Sequence, residues 1–265
     1  MSHDSTPSQL DRLLRDGMIY YDRGEMGKAL ALYMAALKLA PESVEGLVRR
    51  GIVLMELDRD DEALADFERA LEIDPNYGLA YFGRGWVRGE RGDAEGEMAD
   101  ARRGLDLDPA NAHLYLRRIG AAYDRMNNHS EAQSCYTQAI ALRPDLRGPY
   151  FNRGLSREVT GEYELAIADL SRAIELDPDW AWAFEARGRI YSKLGNAVAA
   201  MGDFALAIRF DPSYAAAYLE RGALHEQLGD FEKATADYEM AAKLSASSPA
   251  AKAALARLER LRGNR

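Results

Sequence analysis

Five arginines and five aspartates stand at one fixed separation in this chain. Arg50 and Asp66, Arg84 and Asp100, Arg153 and Asp169, Arg187 and Asp203, and Arg221 and Asp237 are each sixteen residues apart. A guanidinium and a carboxylate can form paired, charge-assisted hydrogen bonds. The repeated spacing therefore predicts structural ion pairs, each tying one element to the next. Two positions in the same phase lack both partners: Asp16 with Leu32, and Ile119 with Cys135. Joint loss of the two partners strengthens the pairing and makes Cys135 a small apolar filler where an aspartate is absent.

Catalytic chemistry finds less support. The histidines are His3, His113, His129 and His225. None is spaced from another, or from Cys135, as a metal-ligand set would be. His225-Glu226 lacks the later histidine of a zinc-protease helix, and Gly83-Arg84-Gly85 follows no strand pattern that would make it a phosphate loop. The expectation is a protein that is not an enzyme, with no catalytic residue, metal or cofactor. A net charge of −9 argues against a nucleic-acid partner, which calls for a basic stripe. No window is apolar enough for a membrane span, and Met1 to Leu10 is polar, without a secretory run. With one cysteine no internal disulfide can form, which suits a cytoplasmic protein.

The elements that would position these side chains follow a ruler of prolines. Pro41, Pro75, Pro109, Pro144, Pro178 and Pro212 are 34 or 35 residues apart, a period typical of stacked repeat arrays. With each proline at position 32, repeats start at residues 10, 44, 78, 113, 147, 181 and 215. Position 8 is glycine in all: Gly17, Gly51, Gly85, Gly120, Gly154, Gly188 and Gly222. Position 20 is usually alanine (Ala29, Ala63, Ala132, Ala166, Ala200, Ala234), as is position 27 (Ala36, Ala70, Ala139, Ala173, Ala207, Ala241). Position 24 is usually aromatic, as in Tyr33, Phe67, Tyr136, Phe204 and Tyr238. Positions 4, 8 and 11 share one helical face, and positions 17, 20, 24 and 27 share another. Gly92-Asp93, Gly161-Glu162, Gly195-Asn196 and Gly229-Asp230 mark the turn between them. The Asp-Pro pairs, such as Asp74-Pro75 and Asp177-Pro178, suit a cap followed by proline in the first helical turn.

Period, glycine, alanines, aromatics and proline together resemble the tetratricopeptide repeat (TPR) family. The resemblance implies an all-α fold: an α-solenoid of seven helical hairpins in a right-handed superhelix, with a concave groove lined by the first helices. It implies residues 1–9 as a flexible N-terminal segment, residues 10–248 as the repeats, and residues 249–265 as a C-terminal capping helix and tail. Leu255, Leu258 and Leu261 would form the apolar stripe of that cap. The family mostly binds peptides or helical segments of other proteins, so the expected function is a non-catalytic protein-binding scaffold. The groove candidates are Arg49, Met55, Phe82, Trp86, Arg117, Arg118, Phe151, Asn152, Trp182 and Arg189, with Val48, Ile52 and Arg125 beside them. Aromatics beside arginines make good interface anchors. Arg117, Arg118 and Arg125 would form a basic patch for a partner's carboxylate or phosphate.

Two alternatives stay open. The array could associate with another copy of itself, making a homo-oligomer. A family subclass grips chaperone tails with a carboxylate clamp; Asn152 fits its middle asparagine and Arg117 the basic residue of the preceding repeat, but Ala121 stands where an asparagine belongs and Trp182 and Ala186 where two basic residues belong. The third repeat is irregular, with Arg88, Glu97, Ala101 and Gly104 at packing positions and Gly83, Gly89 and Gly96 added. It reads either as drift supported by its neighbours or as a hinge or gap.

Overall fold

The computed structural model describes residues 8–245 and, near the C-terminus, Ala253, Ala256, Arg257, Glu259 and Arg260. The leucine stripe expected of a capping helix, and residues 1–7, lie outside the described residues. Among the described residues there are α-helices, one 3-10 turn and no strand. They fall into two compact units, one ending at Leu142 and one beginning at Arg143. No helix among the described residues is long and apolar enough to cross a membrane.

The first unit holds four hairpins: α1 (Gln9–Asp22) with α2 (Met26–Leu39), α3 (Val44–Glu56) with α4 (Asp60–Ile73), α5 (Gly78–Glu90) with α6 (Ala94–Leu107), and α7 (Ala112–Arg125) with α8 (His129–Leu142). The second holds three: α9 (Arg147–Thr160) with α10 (Tyr163–Leu176), α11 (Ala181–Lys193) with α12 (Ala197–Phe210), and α13 (Ala215–Gln227) with α14 (Phe231–Leu244). Within each unit the second helix of a hairpin packs on the first helix of the next, and successive first helices touch. This is the stacking of an α-solenoid.

The glycines of position 8 have a steric cause. Five of them lie against the buried ring of position 24 in their own hairpin, while Gly154 meets Leu170 and Gly85 meets Asp100 and Glu97. A Cβ at Gly17, Gly51, Gly120, Gly188 or Gly222 would come within 2.5–2.9 Å of Tyr33, Phe67, Tyr136, Phe204 or Tyr238. The hairpin turns share a second requirement, a left-handed residue at position 15. Gly24, Gly92, Gly161, Gly195 and Gly229 have φ of 74–83°, and Asp58 and Asn127 take the same role at 56° and 60°. Asp and Asn tolerate this region better than other residues with a side chain. The next residue caps the second helix through its side chain at Asp93, Asn196 and Asp230, but not at Glu25 or Glu162.

The Asp-Pro pairs play a different part from the one their sequence suggests. Asp74, Asp177 and Asp211 are C-caps of the preceding helices, and the prolines follow in the turn, where a helix cannot continue. Asp74 and Asp211 accept from the backbone N–H of Asn76 and Ser213 at 2.9 and 2.8 Å, so the carboxylate holds the turn. Among the described prolines only Pro109 opens a helical segment, the 3-10 turn Pro109–Asn111, which absorbs the extra residue of the 35-residue spacing.

Candidate functional site

The arginine–aspartate ladder joins the two helices of five hairpins. In each, arginine Nε and Nη2 donate to the two carboxylate oxygens of the aspartate at 2.5–2.9 Å. The aspartates are buried, at 3–6% exposure. Two carry a second guanidinium that the spacing did not reveal: Arg88 on Asp100 at 2.9 Å and Arg157 on Asp169 at 2.6 Å. Arg187 also donates to Ser171 of the preceding hairpin at 2.8 Å. Cys135 is buried among Met98, Ala101, Ile119 and Ala122, and burial pushes its thiol pKa up. A buried protonated thiol is a poor nucleophile.

On the first-helix face of the first unit, the aromatic centre is Trp86. Phe82 meets it edge-on at 5.9 Å and meets Tyr115 at 6.3 Å. Arg118 and Arg117 lie over the Trp86 ring, 4.6 and 5.3 Å from its centroid. The basic patch expected of Arg117, Arg118 and Arg125 is, however, largely neutralised. Arg118 is 4% exposed and donates through Nε and Nη2 to Glu97, the Nε bond being 2.8 Å. Arg125 donates to Glu97 at 2.6 Å and to Glu90 at 2.7 Å. Glu97 itself is fully buried, and burial holds its carboxyl pKa above the usual range despite the two arginines.

The irregular third repeat is thereby accounted for. Glu97 replaces an alanine because Arg118 of the next hairpin needs its carboxylate. Gly89 makes room: a Cβ there would overlap that carboxyl group. Gly104 leaves space for the ring of Tyr115, and Gly83 for Phe67. At Gly83 and Gly104 the space is taken by rings of the neighbouring hairpins, and at Gly89 by Glu97 of the same hairpin.

The other groove candidates divide similarly. Val48 is 1% exposed, and Ile52 and Met55 pack against the same core, so these apolar groups serve the stacking. Arg49 donates to Glu45 at 2.8 Å and contacts Met18 Sδ at 3.0 Å.

In the second unit, Phe151 packs against Trp180 at 4.5 Å, and Arg147 covers the same indole at 4.5 Å. Trp182 is 53% exposed, with Tyr214 tilted beside it at 6.2 Å. Asn152 is partly exposed on α9. Arg189, expected to meet acidic groups of a partner, is already engaged. It donates to Glu158 at 2.9 and 2.6 Å and to Glu185 at 2.9 Å, while Lys193 adds a bond to Glu158 at 2.7 Å. These bonds hold the Glu158 carboxyl below its ordinary pKa against the opposing effect of burial. Glu185 is pushed the other way, chiefly by burial, with Glu220 and Glu158 adding to it.

Glu97, Glu158, Glu185, Trp180 and Tyr214 were not among the sequence candidates. A signal existed for the first: a glutamate in an alanine position, eight residues after Gly89, itself an unusual glycine.

A helical-hairpin array of this kind, with a glycine–aromatic lock in most hairpins, defines a repeat scaffold. Profiles described as tetratricopeptide repeat match residues 14–43 and 116–146, 44–77, and 185–249, and one described as TPR repeat matches 160–195. The chain belongs to the tetratricopeptide repeat family, whose members typically act as non-catalytic interaction scaffolds. No curated protein matches the sequence significantly.

Among solved structures it is similar to the APC/C hetero-tetramer Cut9–Hcn1 (TM-score 0.82, 18% identity, 96% of this chain and 49% of that one). It is similar also to the human IFIT1 dimer with m7Gppp-AAAA (0.85, 18%, 95% and 63%). A third is a tetratricopeptide repeat protein from Parabacteroides merdae ATCC 43184 (0.69, 18%, 96% and 99%). At these identities the likeness shows the fold alone. The chain spans about half of the first neighbour and less than two thirds of the second.

Proposed function

We propose that this chain is a non-catalytic scaffold that holds a peptide or helical segment of a partner protein against the first-helix faces of its hairpins. The observation that carries the reading is Trp182, a large aromatic group 53% exposed on the first helix α11. A half-exposed tryptophan beside a tyrosine supplies anchoring area at little entropic cost. Phe82 and Trp86 offer a comparable surface in the first unit.

A polyanionic ligand such as the m7Gppp-AAAA seen with human IFIT1 fits less well. The chain carries net −9, and Arg118, Arg125, Arg189 and Lys193 are neutralised by carboxylates. Nucleic-acid affinity depends on free cations. A chaperone-tail clamp is also disfavoured, because the aromatic Trp182 and Ala186 occupy two of its basic positions.

The test is photo-cross-linking in cells, comparing wild type with Trp182→Ala. Because the indole is half in solvent, its loss should leave the fold intact and reduce cross-linking of groove partners. Partners captured equally by both proteins would exclude this surface.

A second reading, self-association, draws on a separate feature of the second unit. Val159, Leu194, Val198, Leu228 and Phe231 lie at or beside its hairpin turns, each 45–86% exposed. Exposed apolar rows of this kind commonly mark contact surfaces. Light scattering across a concentration series should then show mass rising for wild type and constant for Val198→Asp with Phe231→Asp. A constant mass for wild type would exclude this reading.

A further inference from the structure

The tryptophans of this chain are Trp86, Trp180 and Trp182. Two of them already hold a cation of the chain itself: Arg118 and Arg117 lie over Trp86, and Arg147 lies over Trp180. Both of those indoles are partly buried, whereas Trp182 is 53% exposed. Among the described residues no arginine or lysine lies over the Trp182 ring. The face of an indole carries negative π density and attracts cations. Tyr214 stands beside Trp182 with ring centroids 6.2 Å apart, and its hydroxyl donates to Glu185 at 3.4 Å.

The charge behind this aromatic pair is unbalanced. Glu158, Glu185 and Glu220 are grouped with two cations, Arg189 and Lys193. Arg189 serves both Glu158 and Glu185, and Lys193 serves Glu158 again. Glu220, partly exposed on α13, has no hydrogen bond or ion pair among the described residues. Burial raises the pKa of Glu185, and Glu220 and Glu158 add to the rise, so the three carboxylates sense one another.

We propose that the first-helix face of the second unit reads a basic side chain, a Lys or Arg of the docked segment, which lies on the Trp182–Tyr214 pair with Glu220 as its counter-charge. This deepens the groove reading above and rests on it. Charge complementarity selects the occupant. An apolar side chain would cover the rings but leave Glu220 without a counter-ion, and an acidic one would meet like charge. A basic segment is also the kind that a chain of net −9 draws toward itself.

The full chain would be probed against an array of random-sequence peptides, blocked at both ends. Bound peptides should be enriched in Lys or Arg. Glu220→Gln should bind them about tenfold more weakly, the effect of losing one charge-assisted contact, and should lose the basic preference. Trp182→Phe, with a weaker π face, should fall between wild type and Trp182→Ala. Glu220 has no bonded partner to strand, so its variant should keep the urea midpoint of wild type. Glu164→Gln is the control: it lies exposed on the second helix α10, changes the net charge equally and should bind as wild type does.

The outcomes separate the two ideas. Peptides held without basic enrichment, but lost by Trp182→Ala, would overturn the cation reading and leave the groove standing. So would a basic preference unchanged in Glu220→Gln, or one weakened as much by Glu164→Gln, which would mean a general attraction to an acidic chain. Peptides held undiminished by Trp182→Ala, or no peptide held at all, would overturn the groove reading together with this one.

Discussion

Glu97→Ala should destabilise the first unit by about 3–5 kcal/mol, although it restores the alanine that other repeats carry at that position. The wild-type carboxylate is fully buried and accepts from two arginines. Arg125 has a side chain 30% exposed and can turn to water or to Glu90, but Arg118, at 5%, cannot. Removing Glu97 leaves a desolvated cation against the face of Trp86 and an empty volume beside Gly89. Adding Arg118→Met should recover most of the loss, since replacing both members of a buried pair by apolar groups is often nearly neutral. Urea unfolding measures both variants, and amide exchange over α6 and α7 localises the effect. A double variant no more stable than Glu97→Ala would show that the pair is not what holds this site together.

The same residue sets a pH dependence. Its folded pKa lies above the unfolded value because burial outweighs the two arginines. The folded unit therefore holds this proton more tightly than the unfolded chain does. The contribution is fully present below the unfolded glutamate value and is lost as pH rises through the folded one. Glu97→Gln should remove that slope.

What could be read in the sequence followed the geometry of a single hairpin. Arg153 and Asp169 belong to one repeat, so their co-occurrence recurs with the period. Gly51 and Phe67 likewise face each other within one unit of the pattern. Pairs that cross from hairpin to hairpin do not recur. Glu97 meets Arg118 across 21 residues and Glu158 meets Arg189 across 31, and each occurs once. Repetition reveals contacts that every repeat makes and is silent on those made once. For that reason Arg118 and Arg189 looked like free groove cations. Gly104 carries the same lesson in steric form. It reads as a weak helix position, yet an alanine there would overlap the ring of Tyr115 from the next hairpin.

Within the ladder, the rungs should not be equal, and Asp169→Ala should be the most costly of their aspartate deletions, at about 3–5 kcal/mol. Asp169 serves two guanidiniums, and both are poorly exposed: the side chain of Arg153 is 13% accessible and that of Arg157 is 17%. Arg157 Nε is already buried without a hydrogen-bond partner, so its bond to Asp169 is a main compensation for that cost. Deleting the carboxylate takes the paired bonds from Arg153 and leaves Arg157, whose Nε is already unsatisfied, without its ion-pair partner. Asp66→Ala makes the contrast. Its single arginine, Arg50, has a side chain 29% exposed and can resolvate, so the loss should be nearer the 1.5–3 kcal/mol of a charged hydrogen bond. Asp169→Ala should also be less stable than Asp169→Ala with Arg153→Met, because the second change removes one of the two poorly exposed cations that lost the carboxylate. Urea midpoints for the four proteins test the order. Strict additivity of Asp169→Ala and Arg153→Met would mean that the two groups do not sense each other. Equal losses for Asp66→Ala and Asp169→Ala would mean that exposure of the arginine does not set the strength of a rung.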